Sequence, residues 1–137
     1  MEILFKDKNQ LIMRLTDNFF IIEHYGDTEN GFYVELHTNP KHYIYTAHFP
    51  GNPITPGVCI IQAAGELLEI KLNRKLYLKN VKSVKILKVI IPKEDKIIRY
   101  SFSNIIEDDN SIKTQVVVYD NADICAKISM IFSKIRL

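Results

Sequence analysis

The sequence lacks most features that mark extracellular, fibrous or membrane proteins. It holds only two cysteines in 137 residues, Cys59 and Cys125, without C-x-x-C spacing, so both are expected to be small buried thiols rather than parts of a disulfide scaffold. Glycine and proline number five each, which excludes collagen-like and low-complexity chains. No apolar run approaches the roughly 18–20 residues of a bilayer span. The first residues lack the form of a signal peptide, so a cytoplasmic protein is expected.

Neither sign of charge dominates. The 18 lysines and arginines against 16 aspartates and glutamates give a net charge of +2, which is too small to predict nucleic-acid binding. His24, His37, His42 and the two cysteines match no zinc-binding spacing, so no metal site is expected. A chain of this length that is 47% hydrophobic and 25% charged is predicted to form a single domain, residues 1–137.

The first third of the chain has the pattern of strands and turns. The apolar run 19–22 and the Asn30-Gly31 turn precede 32–38, where apolar and polar residues alternate with the period of two expected of a half-buried strand. After the Asn39-Pro40 break, residues 42–46 are rich in aromatic and β-branched side chains and are predicted to resume the strand.

A helix is predicted over about 56–72. Pro50–Pro53 is turn chemistry, and Thr55 and Pro56 have the form of an N-cap followed by proline at the first helical position. The helix is apolar round most of its circumference and must therefore be enveloped by the rest of the protein. Its polar positions form one narrow stripe: Gln62, Glu66, Glu69 and Asn73. For Gln62 and Glu66 the alternative to a role in a site is that the stripe faces water or a partner subunit, and this alternative is favoured for Glu66 and disfavoured for Gln62.

The rest of the chain is predicted to be strand, in four β-branched-rich runs at 81–91, 96–106, 111–119 and 124–135. Acidic and asparagine-rich turns separate the last three runs at hairpin-like intervals. Long antiparallel strands with one mostly apolar helix predict an α+β fold in which the sheet wraps around that helix.

The segment 48–66, HFPGNPITPGVCIIQAAGE, carries the chemistry. Pro56 has no N–H, so the first donors of the helix are those of Gly57, Val58 and Cys59, and no capping box occupies them. Such donors at the positive end of a helix dipole suit a developing oxyanion. His48 lies nine residues before Gly57, and the proline turn can return it beside the helix end. A general base next to an oxyanion hole can enolise a thioester.

This segment resembles the β-hydroxyacyl-acyl-carrier-protein dehydratases of bacterial type II fatty-acid synthesis. Their signature H-F-P-G-x-P-x-x-P-G-V is matched at every fixed position from His48 to Val58, and a weaker likeness extends from Phe19 to Ile97. The resemblance implies the hot-dog fold, a long antiparallel sheet wrapped round one helix. It also implies a homodimer, with a trimer of dimers as the larger alternative, and a reaction that needs no cofactor.

The resemblance assigns roles and shows one departure. His48 is implied to be the catalytic base, with Gly57 and Val58 as the oxyanion site. The family's acidic residue, 14 positions after its histidine, is Gln62 here, and Glu66 stands where the family has glutamine. Gln62 is therefore expected to orient the substrate hydroxyl without delivering a proton. The residues implied to line the substrate site are Phe49, Pro56, Cys59 and Glu66.

The expected function is that of a lyase of fatty-acid or related lipid biosynthesis. It removes water from a 3-hydroxyacyl thioester, carried on the phosphopantetheine of acyl carrier protein, to give the trans-2-enoyl product. A basic run from Lys71 to Lys88 is expected to dock that acidic carrier through Arg74, Lys75 and Lys79. Two alternatives stay open: an acyl-binding partner subunit impaired at Gln62, and a thioesterase of the same fold.

Overall fold

A computed structural model describes residues 14–47 and 50–136. Six strands form one antiparallel sheet in the order β1-β2-β4-β5-β6-β3. With the apolar helix α3 it gives the expected α+β hot-dog architecture. The elements in chain order are α1 (Leu15–Asn18), β1 (Phe20–Thr28), β2 (Gly31–Thr38), α2 (Tyr43–Ala47), α3 (Gly57–Leu72), β3 (Tyr77–Ile86), β4 (Ile97–Glu107), β5 (Ser111–Asp120) and β6 (Asp123–Ser133).

The strands follow the alternation of the sequence. In β2 the apolar residues Phe32, Val34 and Leu36 are buried, while the residues between them are partly exposed. β5 alternates in the same way. The predictions for β2, β4, β5 and β6 are confirmed to within two residues at each end. A period of two places one face of each strand against the core, which explains why these boundaries can be predicted.

Helix α3 lies in the core, as its composition predicts. Its side chains at Ile60, Ala63, Ala64, Leu67 and Leu68 are almost completely buried. The helix ends at Leu72, and the left-handed backbone of the next residue, Asn73 (φ 54°), closes the last turn. The predicted start is off by one residue, because Pro56 has extended geometry and is itself the N-cap, so the helix begins at Gly57.

The strand predicted at 42–46 is wrong. Residues Tyr43–Ala47 form the short helix α2. His42 Nδ1 accepts the backbone N–H of Ile44 (3.1 Å), and the His42 carbonyl accepts that of Tyr45 (3.1 Å). The Tyr45 ring stacks on Phe19 in the core at 4.9 Å between centroids. A histidine cap and one buried ring therefore override the β propensity of these residues.

Strand β3 covers Tyr77–Ile86, whereas the sequence predicts a strand over 81–91. The observed strand therefore begins four residues earlier and ends five residues earlier than predicted. It starts after Leu76, whose N–H is bound by the Glu69 carboxylate (2.9 Å), and it ends where Leu87 donates to the Cys125 carbonyl (2.7 Å). β3 lies at one edge of the sheet, and its pairing with β6 is interrupted by bulges at Lys79 and Lys82. Charged residues and bulges are common on edge strands.

Both cysteines are buried, which confirms their prediction as packed thiols. Within 14–47 and 50–136, no helix is both long enough and apolar enough to cross a bilayer.

Candidate active site

The N-terminus of α3 presents backbone donors to its surroundings. The N–H groups of Cys59 and Ile60 donate to the Pro56 carbonyl at 3.0 and 3.2 Å, so Cys59 is not one of the free donors that the sequence predicted. The N–H groups of Gly57 and Val58 donate to no atom of the described residues. The first turn therefore offers two adjacent donors at the positive end of a sixteen-residue helix.

There is open space beside these donors. A Cβ atom built on Gly57 meets no described heavy atom within 4 Å outside its own helix and chain neighbours. The Val58 side chain is 75% exposed. An acyl oxygen can therefore approach the Gly57 amide, which is the access that an oxyanion site needs.

The segment before α3 is tied to α2 by a buried hydrogen bond. The Tyr45 hydroxyl and the Thr55 Oγ1 atom lie 2.8 Å apart, and the Thr55 N–H donates to the Ile90 carbonyl at 2.9 Å. Burial raises the pKa of Tyr45 to about 12, so its hydroxyl stays neutral. Sequence reasoning missed this pair, because its two residues belong to different predicted elements.

His48 and Phe49 lie outside the described residues, so their predicted roles stay predictions. The described chain reaches Ala47 at the end of α2 and resumes at Pro50. The bond between Tyr45 and Thr55 thus joins a residue three positions before His48 to a residue two positions before Gly57.

Gln62 and Glu66 lie one helical turn apart and are in contact. The Gln62 Nε2 atom donates to Glu66 Oε2 at 2.8 Å. Gln62 is exposed, whereas Glu66 is only 6% exposed. A carboxylate only accepts, so the amide nitrogen must be the end of Gln62 that faces Glu66. The direct contact also shows that these two stripe residues form one unit.

Glu66 is also bound by helix α1, fifty residues earlier in the chain. Its Oε1 atom accepts the N–H and the hydroxyl of Thr16 at 2.9 and 3.0 Å, and its Oε2 atom accepts the N–H of Leu15 at 3.0 Å. Glu66 therefore caps α1 from another element. Substrate contact, its predicted role, would have to be made by a carboxylate that already accepts four hydrogen bonds.

Glu69 resembles Glu66 in being buried and in accepting backbone N–H groups from another part of the chain. It is 8% exposed and accepts the Leu76 N–H and an Arg14 N–H, the latter at 3.4 Å. The interpretation that Glu66 faces water or a partner subunit is therefore wrong, and Glu66 and Glu69 both face other parts of the same chain. The stripe carries no signal for this, because a buried carboxylate and a solvated one look alike in a sequence.

Cys59 is a packed thiol in the first turn of α3. Desolvation raises its pKa, and the Glu66 charge raises it further. The thiolate is thus disfavoured despite the helix N-terminus. Cys59 can contribute apolar surface to an acyl site, and it is not equipped to be a nucleophile.

The three basic residues predicted to dock a carrier differ in their surroundings. Arg74 Nη1 lies 3.7 Å from Glu107 Oε2, and Lys75 Nζ lies 5.9 Å from the centroid of the Tyr77 ring. Lys79 is exposed at the first bulge of β3. Part of the predicted positive surface is therefore neutralised within the chain.

Among the described residues, no three His, Cys, Asp or Glu side chains are grouped as a metal site would require. A protein-family model described as ApeI-like, ApeI dehydratase, matches residues 24–126. No curated protein sequence matches the chain. The family match spans both the proline turn and helix α3, and so covers the candidate site.

Solved structures share the fold at low sequence identity. The ApeI:P dehydratase heterocomplex from Xenorhabdus doucetiae is 15% identical, with a TM-score of 0.67 over 83% of this chain and 97% of that one. An uncharacterized protein from Erwinia carotovora is also 15% identical, with a TM-score of 0.68 over 85% and 97%. A hypothetical thioesterase with coenzyme A from Streptococcus pneumoniae is 13% identical, with a TM-score of 0.58 over 83% and 84%. At these identities the likeness establishes the fold alone.

Proposed function

Because this chain belongs to the ApeI-like dehydratase family, we propose that it removes water from a 3-hydroxyacyl thioester to give the trans-2-enoyl product. The observation that carries the proposal is the first turn of α3, where the N–H groups of Gly57 and Val58 donate to no described atom and open space adjoins Gly57. Two amides at that position suit a thioester oxygen that becomes negative when the α-proton leaves.

In the proposed mechanism, His48 takes the proton from Cα while Gly57 and Val58 hold the enolate oxygen. The C–O bond at C3 then breaks, and the protonated His48 returns its proton to the departing hydroxyl. Gln62 orients that hydroxyl and supplies no proton, because an amide does not ionise. Backbone donors stabilise the enolate, so this reaction needs no cofactor.

The tether between α2 and α3 supports this assignment. The Tyr45–Thr55 bond holds the chain that leads to His48 against the chain that leads to Gly57. A base and an oxyanion site must lie within a few ångströms of one substrate carbon. The buried hydrogen bond between Tyr45 and Thr55 holds the two supporting segments together and so favours this proximity.

The test is an assay of purified protein with a 3-hydroxyacyl thioester, in which enoyl product and free thiol are followed together. We expect enoyl product, and we expect His48→Ala to reduce its rate by about 10²–10⁴-fold, the usual contribution of a general base. Free thiol without enoyl product would instead indicate a thioesterase. Absence of both would indicate an acyl-binding partner subunit, and either outcome would overturn the proposal.

We also propose that the substrate arrives on the phosphopantetheine of an acidic acyl carrier protein. Arg74, Lys75 and Lys79 lie where α3 runs into β3, and of these Lys79 has no charged partner among the described residues. Reversing the three charges should raise KM for carrier-linked substrate and leave KM for a small thioester analogue unchanged. Equal changes in both constants would contradict the docking.

A second copy of the chain is the proposed partner along β3. Eight of the ten residues of this edge strand are exposed, and the exposed side chains include Leu78, Val84 and Ile86. An edge with apolar side chains is a template for strand pairing. The solved ApeI:P structure is that of a heterocomplex, so a second, unlike chain is the alternative partner.

Sedimentation should give twice the 15.9 kDa of one chain, or six times that mass for a trimer of dimers. Val84→Glu should lower the mass to that of one chain. Ile106→Glu, a matched change at a 63% exposed residue of β4, should not. A monomer in the unaltered protein would contradict self-association and leave the unlike partner.

A further inference from the structure

The buried carboxylate of Glu66 has a use that capping α1 does not explain. It lies one turn from Gln62 and accepts four hydrogen bonds, three from α1 and one from the Gln62 amide. Among the described residues, Oε1 accepts from Thr16 alone, whereas Oε2 is shared between Leu15 of α1 and Gln62. Anchoring α1 requires no bond to the exposed Gln62.

We propose that Glu66 is a positioning residue, which holds Gln62 with its amide nitrogen toward the buried carboxylate and its carbonyl oxygen on the opposite side. This inference rests on the proposed dehydratase function and adds the direction in which Gln62 acts. A free glutamine amide can turn by 180° and exchange its donor and acceptor ends. Glu66 removes that freedom, because only the N–H end can bind a carboxylate.

The consequence concerns the substrate hydroxyl. With its nitrogen held by Glu66, Gln62 directs an acceptor, its carbonyl oxygen, to the side away from Glu66. An acceptor fixes a hydroxyl by taking its O–H, which aims the oxygen lone pairs elsewhere and leaves them for the proton that departure requires. With glutamine at position 62 and glutamate at position 66, the site can therefore orient the substrate hydroxyl although neither residue is the general acid.

Glu66→Gln is the informative substitution. An amide has one acceptor atom where the carboxylate has two. With its NH₂ group toward Leu15 and Gln62, the Gln62 nitrogen loses its acceptor; with its NH₂ group toward Thr16, the Gln62 nitrogen keeps only an uncharged acceptor. In both orientations the bond that directs the Gln62 nitrogen toward residue 66 is weakened or lost. Glu69→Gln is the matched control, since it makes the same change in another buried carboxylate of α3 that binds Leu76 rather than Gln62.

The kinetic test is a double-mutant cycle. We expect Glu66→Gln to lower kcat about 10-fold or more, the order of effect that misorientation produces, with KM within about twofold of the unaltered protein. Glu69→Gln should leave kcat unchanged although both variants unfold at lower urea. In a Gln62→Ala background, Glu66→Gln should lower kcat no further. Equal losses of kcat with and without Gln62 would overturn the proposal.

A second measurement, on the unaltered protein, does not depend on activity. In ¹⁵N-labelled protein, the Gln62 Nε2 hydrogen that faces Glu66 should lie downfield of its position in a solvent-exposed glutamine and should exchange more slowly with water. This difference should persist in Glu69→Gln and be lost in Glu66→Gln. A Gln62 amide with the shifts and exchange rates of a solvent-exposed glutamine in the unaltered protein would refute the positioning role. If the difference is seen and no thioester is dehydrated, the proposed function fails while the orientation of Gln62 stands.

Discussion

Gln62→Glu would place a second carboxylate where the Gln62 amide now donates to Glu66 at 2.8 Å. At that separation two negative charges repel by about 6 kcal/mol at an effective dielectric constant of about 20. The variant will avoid this state in one of two ways: by binding a proton between the two carboxyls, or by turning the introduced side chain out into water. The cheaper of the two at each pH sets the loss of stability.

The pH determines whether the variant binds a proton between the two carboxyls or turns the introduced side chain into water. Protonating a carboxyl with an ordinary pKa of about 4.3 costs about 3.7 kcal/mol at pH 7 and about 1 kcal/mol at pH 5. Turning the introduced carboxylate away from Glu66 loses one charge-assisted hydrogen bond, about 1.5–3 kcal/mol. We therefore expect the free energy of unfolding to fall by about 2–3 kcal/mol at pH 7 and by about 1 kcal/mol at pH 5.

The sign follows from proton linkage. A shared proton raises the folded-state pKa of the pair above its unfolded value, so the folded variant binds more protons and gains stability, relative to the unaltered protein, as the pH falls from 7 to 5. Urea unfolding followed by circular dichroism measures this difference. The double variant Gln62→Glu/Glu66→Gln restores one donor and one acceptor between positions 62 and 66 and should abolish the added pH dependence, but it leaves the Leu15 N–H facing an amide nitrogen and should recover only part of the loss. A Gln62→Glu protein as stable as the unaltered one at pH 7 would refute the reasoning.

Three further predictions concern the scaffold of the site. Gly31→Ala should lower the free energy of unfolding by more than about 3 kcal/mol or prevent folding, because its Cβ would lie 1.8 Å from a carbonyl oxygen of β4. Gly57→Ala, which meets open space, should lower it by less than about 1 kcal/mol in the same urea titration. Burial lowers the pKa of His42, so its folded form binds fewer protons than the unfolded chain and the free energy of unfolding should fall as the pH drops below about 6.5. His42→Asn, which keeps an acceptor for the cap of α2, should flatten that dependence, and an unchanged slope would exclude His42 as its source. Tyr45→Phe leaves the buried Thr55 hydroxyl without its partner and should cost about 1–3 kcal/mol in thermal or urea unfolding; no loss would mean that the tether is dispensable.

Periodicity predicts the elements that are long enough to express it. The alternation at 32–38 and the accumulation of helix formers after Gly57 each bury a continuous face, so the sequence pattern and the packing coincide. The short helix α2 could not be predicted in this way. Its five residues have strand composition, and what makes them helical is the His42 cap together with the place of Tyr45 in the core.

The candidate site likewise has features that the local sequence predicts and features that depend on distant residues. The donors of Gly57 and Val58 follow from local chemistry, since a proline before a helix leaves the next amides unpaired. The partners of Glu66 do not, because Leu15 and Thr16 are fifty residues away and no spacing rule links them to α3. A long-range hydrogen bond to a buried carboxylate leaves no periodic mark in a sequence.

Hydration of an enoyl thioester in H₂¹⁸O, followed by mass spectrometry of the product, tests the central claim most directly. A dehydratase running in reverse adds solvent oxygen at C3, so we predict one ¹⁸O in the 3-hydroxyl group and none after His48→Ala. Label in a free carboxylate would show that water attacks the thioester carbonyl instead. That result, or no label anywhere, would contradict the proposed reaction.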